Sequence, residues 1–86
     1  MANPADPIGV LIVDDDEDDF IIARNMLAGQ ERARFEVEWC STFEAGLTGI
    51  SQRRHDVYLI DYRLGERTGL ELVREAFESR GHAPVI

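Results

Sequence analysis

An unbroken apolar stretch, IGVLIV at Ile8–Val13, runs directly into six consecutive acids, DDDEDD at residues 14–19. The apolar stretch has the pattern of a strand buried on both faces. It is far too short to span a bilayer. Such a strand needs a layer on each side of it, so the chain has to build a sheet with covered faces. The acids stand where that strand stops. In open α/β sheets, the carboxyl ends of the strands are where ligands bind.

The rest of the chain follows the same alternation. Phe20, Ala23, Met26 and Leu27 recur with helical spacing, and Gly29 is a plausible stop. Phe35, Val37 and Trp39 alternate with Glu36, Glu38 and Cys40, which predicts a strand with one less buried face, at a sheet edge. Ser41-x-x-Glu44 reads as a capping box, with Thr42 a rival N-cap. Phe43, Leu47 and Ile50 form the apolar stripe of that helix. Gly46 and Gly49 are expected to weaken it by about 1 kcal/mol each relative to Ala. Residues 57–60 (VYLI) are a second buried strand, closed by Asp61. A loop is expected over residues 62–67. Thr68-x-x-Glu71 is a further capping box, and Leu70, Val73 and Phe77 mark the buried face of a helix ended by Gly81. Residues 84–86 read as the start of a fourth strand. The order is βαβαβαβ, which predicts a parallel sheet with helices on both faces.

Length and charge narrow the role. Eighty-six residues allow one small domain of marginal stability. Seventeen acids stand against nine basic residues, all arginine, for a net charge of −8, and residues 14–19 supply most of it. That sign argues against a nucleic-acid surface. Residues 1–7 (MANPADP) lack the apolar core of a signal peptide and read as a flexible lead-in to a domain over residues 8–86. The single cysteine, Cys40, forms no internal disulfide and has no metal-ligand spacing, in keeping with a reducing, cytoplasmic setting. His55 and His82 read as surface or loop residues, and Trp39 and Phe43 as packing residues.

The acidic run divides into two parts. Asp16 is a good N-cap, and residues 17–19 favour the positive end of the helix dipole, so Asp16 to Asp19 need no ligand to explain them. Asp14 and Asp15 end one buried strand and Asp61 ends another. Neighbouring parallel strands would bring the three together. Two like charges 4 Å apart repel by about 4 kcal/mol at an effective dielectric of 20, and a hard divalent cation relieves that. The alternative is that the three only cap helices and loops.

Together these residues resemble the receiver domain of two-component response regulators. The matches are VLIVDDD at residues 10–16, YLIDYRLGERTGLEL at 58–72 and APVI at 83–86, in the family's order. The resemblance implies a flavodoxin-like sheet of strand order 2-1-3-4. It implies that Asp61 is the phosphoryl acceptor, that Asp15 binds Mg²⁺ (or Mn²⁺) directly, and that Asp14 does so directly or through water. The backbone carbonyl of Arg63 would complete the ligands, and Gly69 would give the third helix its tight entry. Gly65 stands where the family often has proline. The donor would be a sensor histidine kinase or a phosphotransfer protein, and an output domain or partner would read the result. No nucleic acid or membrane is implied for this segment.

The resemblance covers about two-thirds of a receiver. A switch Ser or Thr, a fifth strand with its Lys and the last helices lie outside it, so phosphorylation is expected to be impaired. The bare part of the sheet is expected to drive a homodimer. Two other classes compete. A haloacid-dehalogenase-like phosphohydrolase would use Asp14-x-Asp16, but Glu17-Asp18 follows in place of that family's small and β-branched residues. A receiver-like docking module would keep the fold and never carry phosphate.

Overall fold

The computed structural model describes residues 6–80. Strand β1 (Ile8–Val13) lies between β2 (Phe35–Cys40) and β3 (Val57–Ile60) in a parallel sheet of order β2-β1-β3. Val10 to Val13 are at most 3 % exposed, as a strand covered on both faces requires. In β2, Glu36 and Glu38 are exposed and the alternate residues half-buried, so this strand is the edge that its alternation predicts. The expected fourth strand and His82 lie outside the described residues.

Register sorts the side chains by face. Leu11, Tyr58 and Glu38 are level with one another, as are Val13, Ile60 and Cys40. This face carries helix α2 (Phe43–Ser51) and helix α3 (Gly69–Arg80) over a core of Leu11, Val13, Phe43, Ile50, Tyr58, Leu64, Leu72 and Ala76. The opposite face, with Val10, Ile12, Val37, Trp39, Val57 and Leu59, carries helix α1 (Glu17–Ala28), whose Phe20 stacks on Trp39.

Several local expectations change. Residues 63–68 are not a plain loop: β4 (Arg63–Leu64) and β5 (Arg67–Thr68) pair antiparallel as a short hairpin, with Leu64 buried in the core. Gly65 takes φ +66° at its tip, where an L side chain is strained. Helix α1 fully buries no residue, and Met26, expected inside, is 68 % exposed. Helix α3 turns Leu72 and Ala76 inward and leaves Leu70 59 % exposed. Apolar residues occupy two offset helical stripes there, and packing against α2 chooses between them. The side chain of Phe77 is outside the description.

Thr42, the rival, is the N-cap of α2, and its hydroxyl accepts from Ala45 N–H at 3.1 Å. The second capping box forms as expected: Glu71 N–H donates to Thr68 Oγ1 and Thr68 N–H to Glu71 Oε1. The glycines of α2 serve the packing. A Cβ on Gly46 would stand 2.7 Å from Val13 Cγ1, and one on Gly49 2.7 Å from Leu11 Cδ2. Their absence lets α2 lie close on β1.

Candidate metal and phosphoacceptor site

The site begins in the sheet ladder. Asp14 N–H donates to the Cys40 carbonyl at 3.0 Å, and Asp61 N–H to the Val13 carbonyl at 2.9 Å. Both acids therefore continue the ladder one residue past the strand ends, on neighbouring strands. Asp15 follows directly. Carboxylate oxygens of Asp14, Asp15 and Asp61 all lie within 4.8 Å of one another, with Asp14 and Asp61 half-buried and Asp15 exposed. Sequence position allowed this convergence if the two strands were neighbours, and β1 and β3 are paired.

Backbone N–H groups orient two of the carboxylates. Asp14 Oδ1 accepts from Asp16 N–H at 2.9 Å. Asp15 Oδ2 accepts from Gly65 N–H at 3.0 Å, across the hairpin tip. Burial raises the pKa of the Asp14 carboxyl, and the charges of Asp61, Asp19 and Asp15 add to the rise, while the Asp16 N–H opposes it. An all-oxygen set of clustered carboxylates carrying uncompensated negative charge suits a hard divalent cation. Asp16 turns to the helix instead and accepts from Asp18 N–H as its N-cap.

Gly69 brings the third helix against Asp61. Its N–H donates to the Tyr62 carbonyl at 2.7 Å, and any Cβ there would collide with the Asp61 carbonyl oxygen. Arg63 lies in β4 opposite Thr68 with an exposed side chain. Arg67 secures the hairpin: its guanidinium lies 3.9 Å from the Phe43 ring centroid and pairs with Glu75 at 2.9 Å and Glu71 at 3.3 Å.

Two residues do more than their sequence context suggested. Trp39 is a packing residue, as expected, and its partner is Phe20, with rings 4.7 Å apart and 4° from parallel. Its Nε1–H also donates to the Asp14 carbonyl at 2.8 Å. His55 sits in a loop, but its side chain is only 4 % exposed; Nε2 lies 2.5 Å from Glu38 Oε1, and the ring meets Tyr58 edge-on. The signal was Gly9, the one residue of the apolar stretch without a side chain. The loop folds over it, with Asp56 N–H donating to the Gly9 carbonyl and Gly9 N–H to Asp56 Oδ2, each at 2.8 Å. Cys40 is half-buried, and burial, helped by Glu38, raises its pKa, which is the opposite of an activated thiol.

Comparison with known proteins agrees with this geometry. Residues 10–86 match the family model of the response regulator receiver domain. The chain is 35 % identical over 77 residues to the photosynthetic apparatus regulatory protein RegA of Rhodovulum sulfidophilum, covering 90 % of this chain and 40 % of that protein. It is also similar to the crystal structure of a CheY-like response regulator receiver domain protein from Methanospirillum hungatei JF-1. There the TM-score is 0.76 and the identity 28 %, over 93 % of this chain and 62 % of that one. The chain thus spans less than two-thirds of the length of either relative.

Proposed function

The chain belongs to the response regulator receiver domain family, and on that premise we propose that it is a phosphoryl-accepting module with Asp61 as its acceptor. One observation carries the reading. Asp61 leaves β3 beside Asp14 and Asp15, with carboxylate oxygens within 4.8 Å, at the carboxyl end of a parallel sheet. The signalling unit is taken as residues 8–86, working in the cytoplasm with a sensor histidine kinase or phosphotransfer protein as donor.

In the proposed reaction a carboxylate oxygen of Asp61 attacks the phosphorus of a phosphohistidine. The new O–P bond forms in line as the P–N bond breaks, and the imidazole nitrogen leaves with the bonding pair. Asp14, Asp15, Asp61 and the Arg63 carbonyl would hold Mg²⁺ or Mn²⁺. When bound, the cation offsets the negative charge of the carboxylates and of the phosphoryl oxygens. The chain itself supplies position. The Val13 carbonyl fixes the Asp61 backbone, Gly65 N–H orients Asp15, and the bare Gly69 lets α3 close on the acceptor. A partner or output domain would then read the charge added at Asp61.

The test is a Mg²⁺ titration followed by acetyl phosphate and intact mass. Asp15→Asn should weaken the metal, and any phosphoryl mass should vanish in Asp61→Asn. Label that persists in Asp61→Asn overturns the assignment. Label is expected to be weak, and a chain that binds Mg²⁺ and gains no phosphoryl mass even from a phosphohistidine donor supports a docking module instead.

Self-association is part of the same proposal. Ile22 and Met26, four apart on α1, are 58 % and 68 % exposed, and Val57 and Leu59 on the same sheet face are only half-buried. Covering one such side chain is worth roughly 1.5–3 kcal/mol, so a symmetric pair that shares this face gains stability.

A further inference from the structure

The Asp14 residue is gripped at both ends by one stretch of β2. Its N–H donates to the Cys40 carbonyl at 3.0 Å, and its carbonyl accepts the indole N–H of Trp39 at 2.8 Å. Trp39 and Cys40 are consecutive. The Asp14 carbonyl shares a rigid peptide plane with the Asp15 N–H and Cα. Fixing that oxygen fixes the direction in which the chain leaves Asp14, and so the point from which the Asp15 side chain starts.

The indole is fixed in turn. It stacks on Phe20 with rings 4.7 Å apart. Phe20 lies in the first turns of α1, whose N-cap is Asp16. Residues 14–16 are therefore closed into a ring that runs from β2 through the Trp39 and Phe20 side chains into α1 and back. Stacking on Phe20 needs only an aromatic face. The N–H is the part of Trp39 that engages the acidic loop.

The loop needs such a hold. Three carboxylates within 4.8 Å repel one another, and that repulsion favours an opened loop in which they stand apart. We propose that Trp39 is a positioning residue of the acidic site: its indole N–H holds the Asp14–Asp15 peptide so that the carboxylates of Asp14, Asp15 and Asp61 converge before a divalent cation arrives. The inference rests on the reading of these acids as a Mg²⁺ site. It adds a residue on the edge strand, outside the acids themselves, that sets how well the site is formed.

Two changes at position 39 of the full chain separate the N–H from the packing. Trp39→Phe keeps an aromatic face. Replacement of Trp39 by benzothienylalanine keeps the two-ring shape and removes only the N–H donor. By calorimetry, Mg²⁺ should bind about threefold to tenfold more weakly to both, the range expected for one lost hydrogen bond. The metal-free melting temperature should stay near that of the parent for the benzothienylalanine chain. The chain has a single tryptophan, so its indole N–H gives one resonance in a ¹H–¹⁵N spectrum. That resonance should move during the titration with the calorimetric midpoint. A chain that binds Mg²⁺ and loses affinity in Asp15→Asn, but not in either position-39 variant, overturns the role of Trp39 alone. An indole resonance unmoved at saturation does the same. A parent chain that binds no Mg²⁺ overturns the reading of the site, and the role of Trp39 with it.

Discussion

Gly65 N–H donates to Asp15 Oδ2 at 3.0 Å, across 50 residues of sequence. This bond joins the tip of the β4–β5 hairpin to a carboxylate of the acidic site. The hairpin is anchored elsewhere by the buried Leu64 and by Arg67, which reaches Phe43 on α2 and Glu71 and Glu75 on α3. A change of charge at Asp15 therefore acts directly on an element bound to both helices of that face.

Gly65→Ala should destabilise the chain by about 1–2 kcal/mol, because an L residue at positive φ brings its Cβ against its own backbone. The cost is purely conformational, since no atom lies within 4 Å of a Cβ placed there. Gly65→Asn should cost less, as Asn tolerates this region better. Urea denaturation checks both. Equal stability of all three chains would mean that the hairpin tip relaxes out of its left-handed turn.

Acid should remove the contribution of Glu71. Its pKa is lowered, first by the Thr68 N–H and then by Arg67. A depressed folded-state pKa gives stability that is present above the ordinary Glu value of about 4.3 and lost as the pH falls through the depressed value. The parent should melt above Glu71→Gln at neutral pH, and the gap should close at strongly acid pH. Asp14 works in the other direction: its raised pKa makes the charged form costly, and that cost is relieved as the pH falls through the raised value. A gap independent of pH would remove the charged capping box from the account.

Gly46→Ala should destabilise, although Ala is the better helix former by about 1 kcal/mol. The new Cβ would stand 2.7 Å from Val13 Cγ1 and 3.2 Å from Leu72 Cδ2. Val13 is fully buried and β-branched, so it cannot turn away. Overpacking costs of about 1–3 kcal/mol outweigh the helical gain. Gly49→Ala meets the end of the more flexible Leu11 side chain and should cost less. Thermal melting of the two variants against the parent decides the order.

Ile22→Glu with Met26→Glu should convert a self-associating chain to a monomer. Both side chains are more than half exposed, so the changes disturb little inside the fold. Sedimentation at micromolar concentration is the measurement. A parent chain that is already a cooperative monomer would show that the α1 face needs no second copy.

The sequence by itself determined the covered central strand, the parallel βαβ order and the acids at the strand ends. Each of these rests on local pattern: an unbroken aliphatic run, helical spacing after it, and an Asp directly after each of two buried strands. The convergence of Asp14, Asp15 and Asp61 was legible on the condition that their strands were neighbours, because parallel strands in one sheet end on one edge. Only the tertiary structure decided which of two apolar stripes α3 buries, because Leu70 and Leu72 satisfy helical periodicity equally and the choice belongs to α2. It alone formed the β4–β5 hairpin, whose strands of two residues each carry too little pattern to read. It turned Gly46 and Gly49 from weak points of a helix into its contact surface, and it buried the His55 ring beside Gly9. It also aimed the Trp39 indole N–H at the Asp14 carbonyl, 25 residues away. Periodicity reports how each residue sits on its own element. Contacts between elements depend on the distance and rotation at which those elements pack, and no single stretch of sequence carries that information.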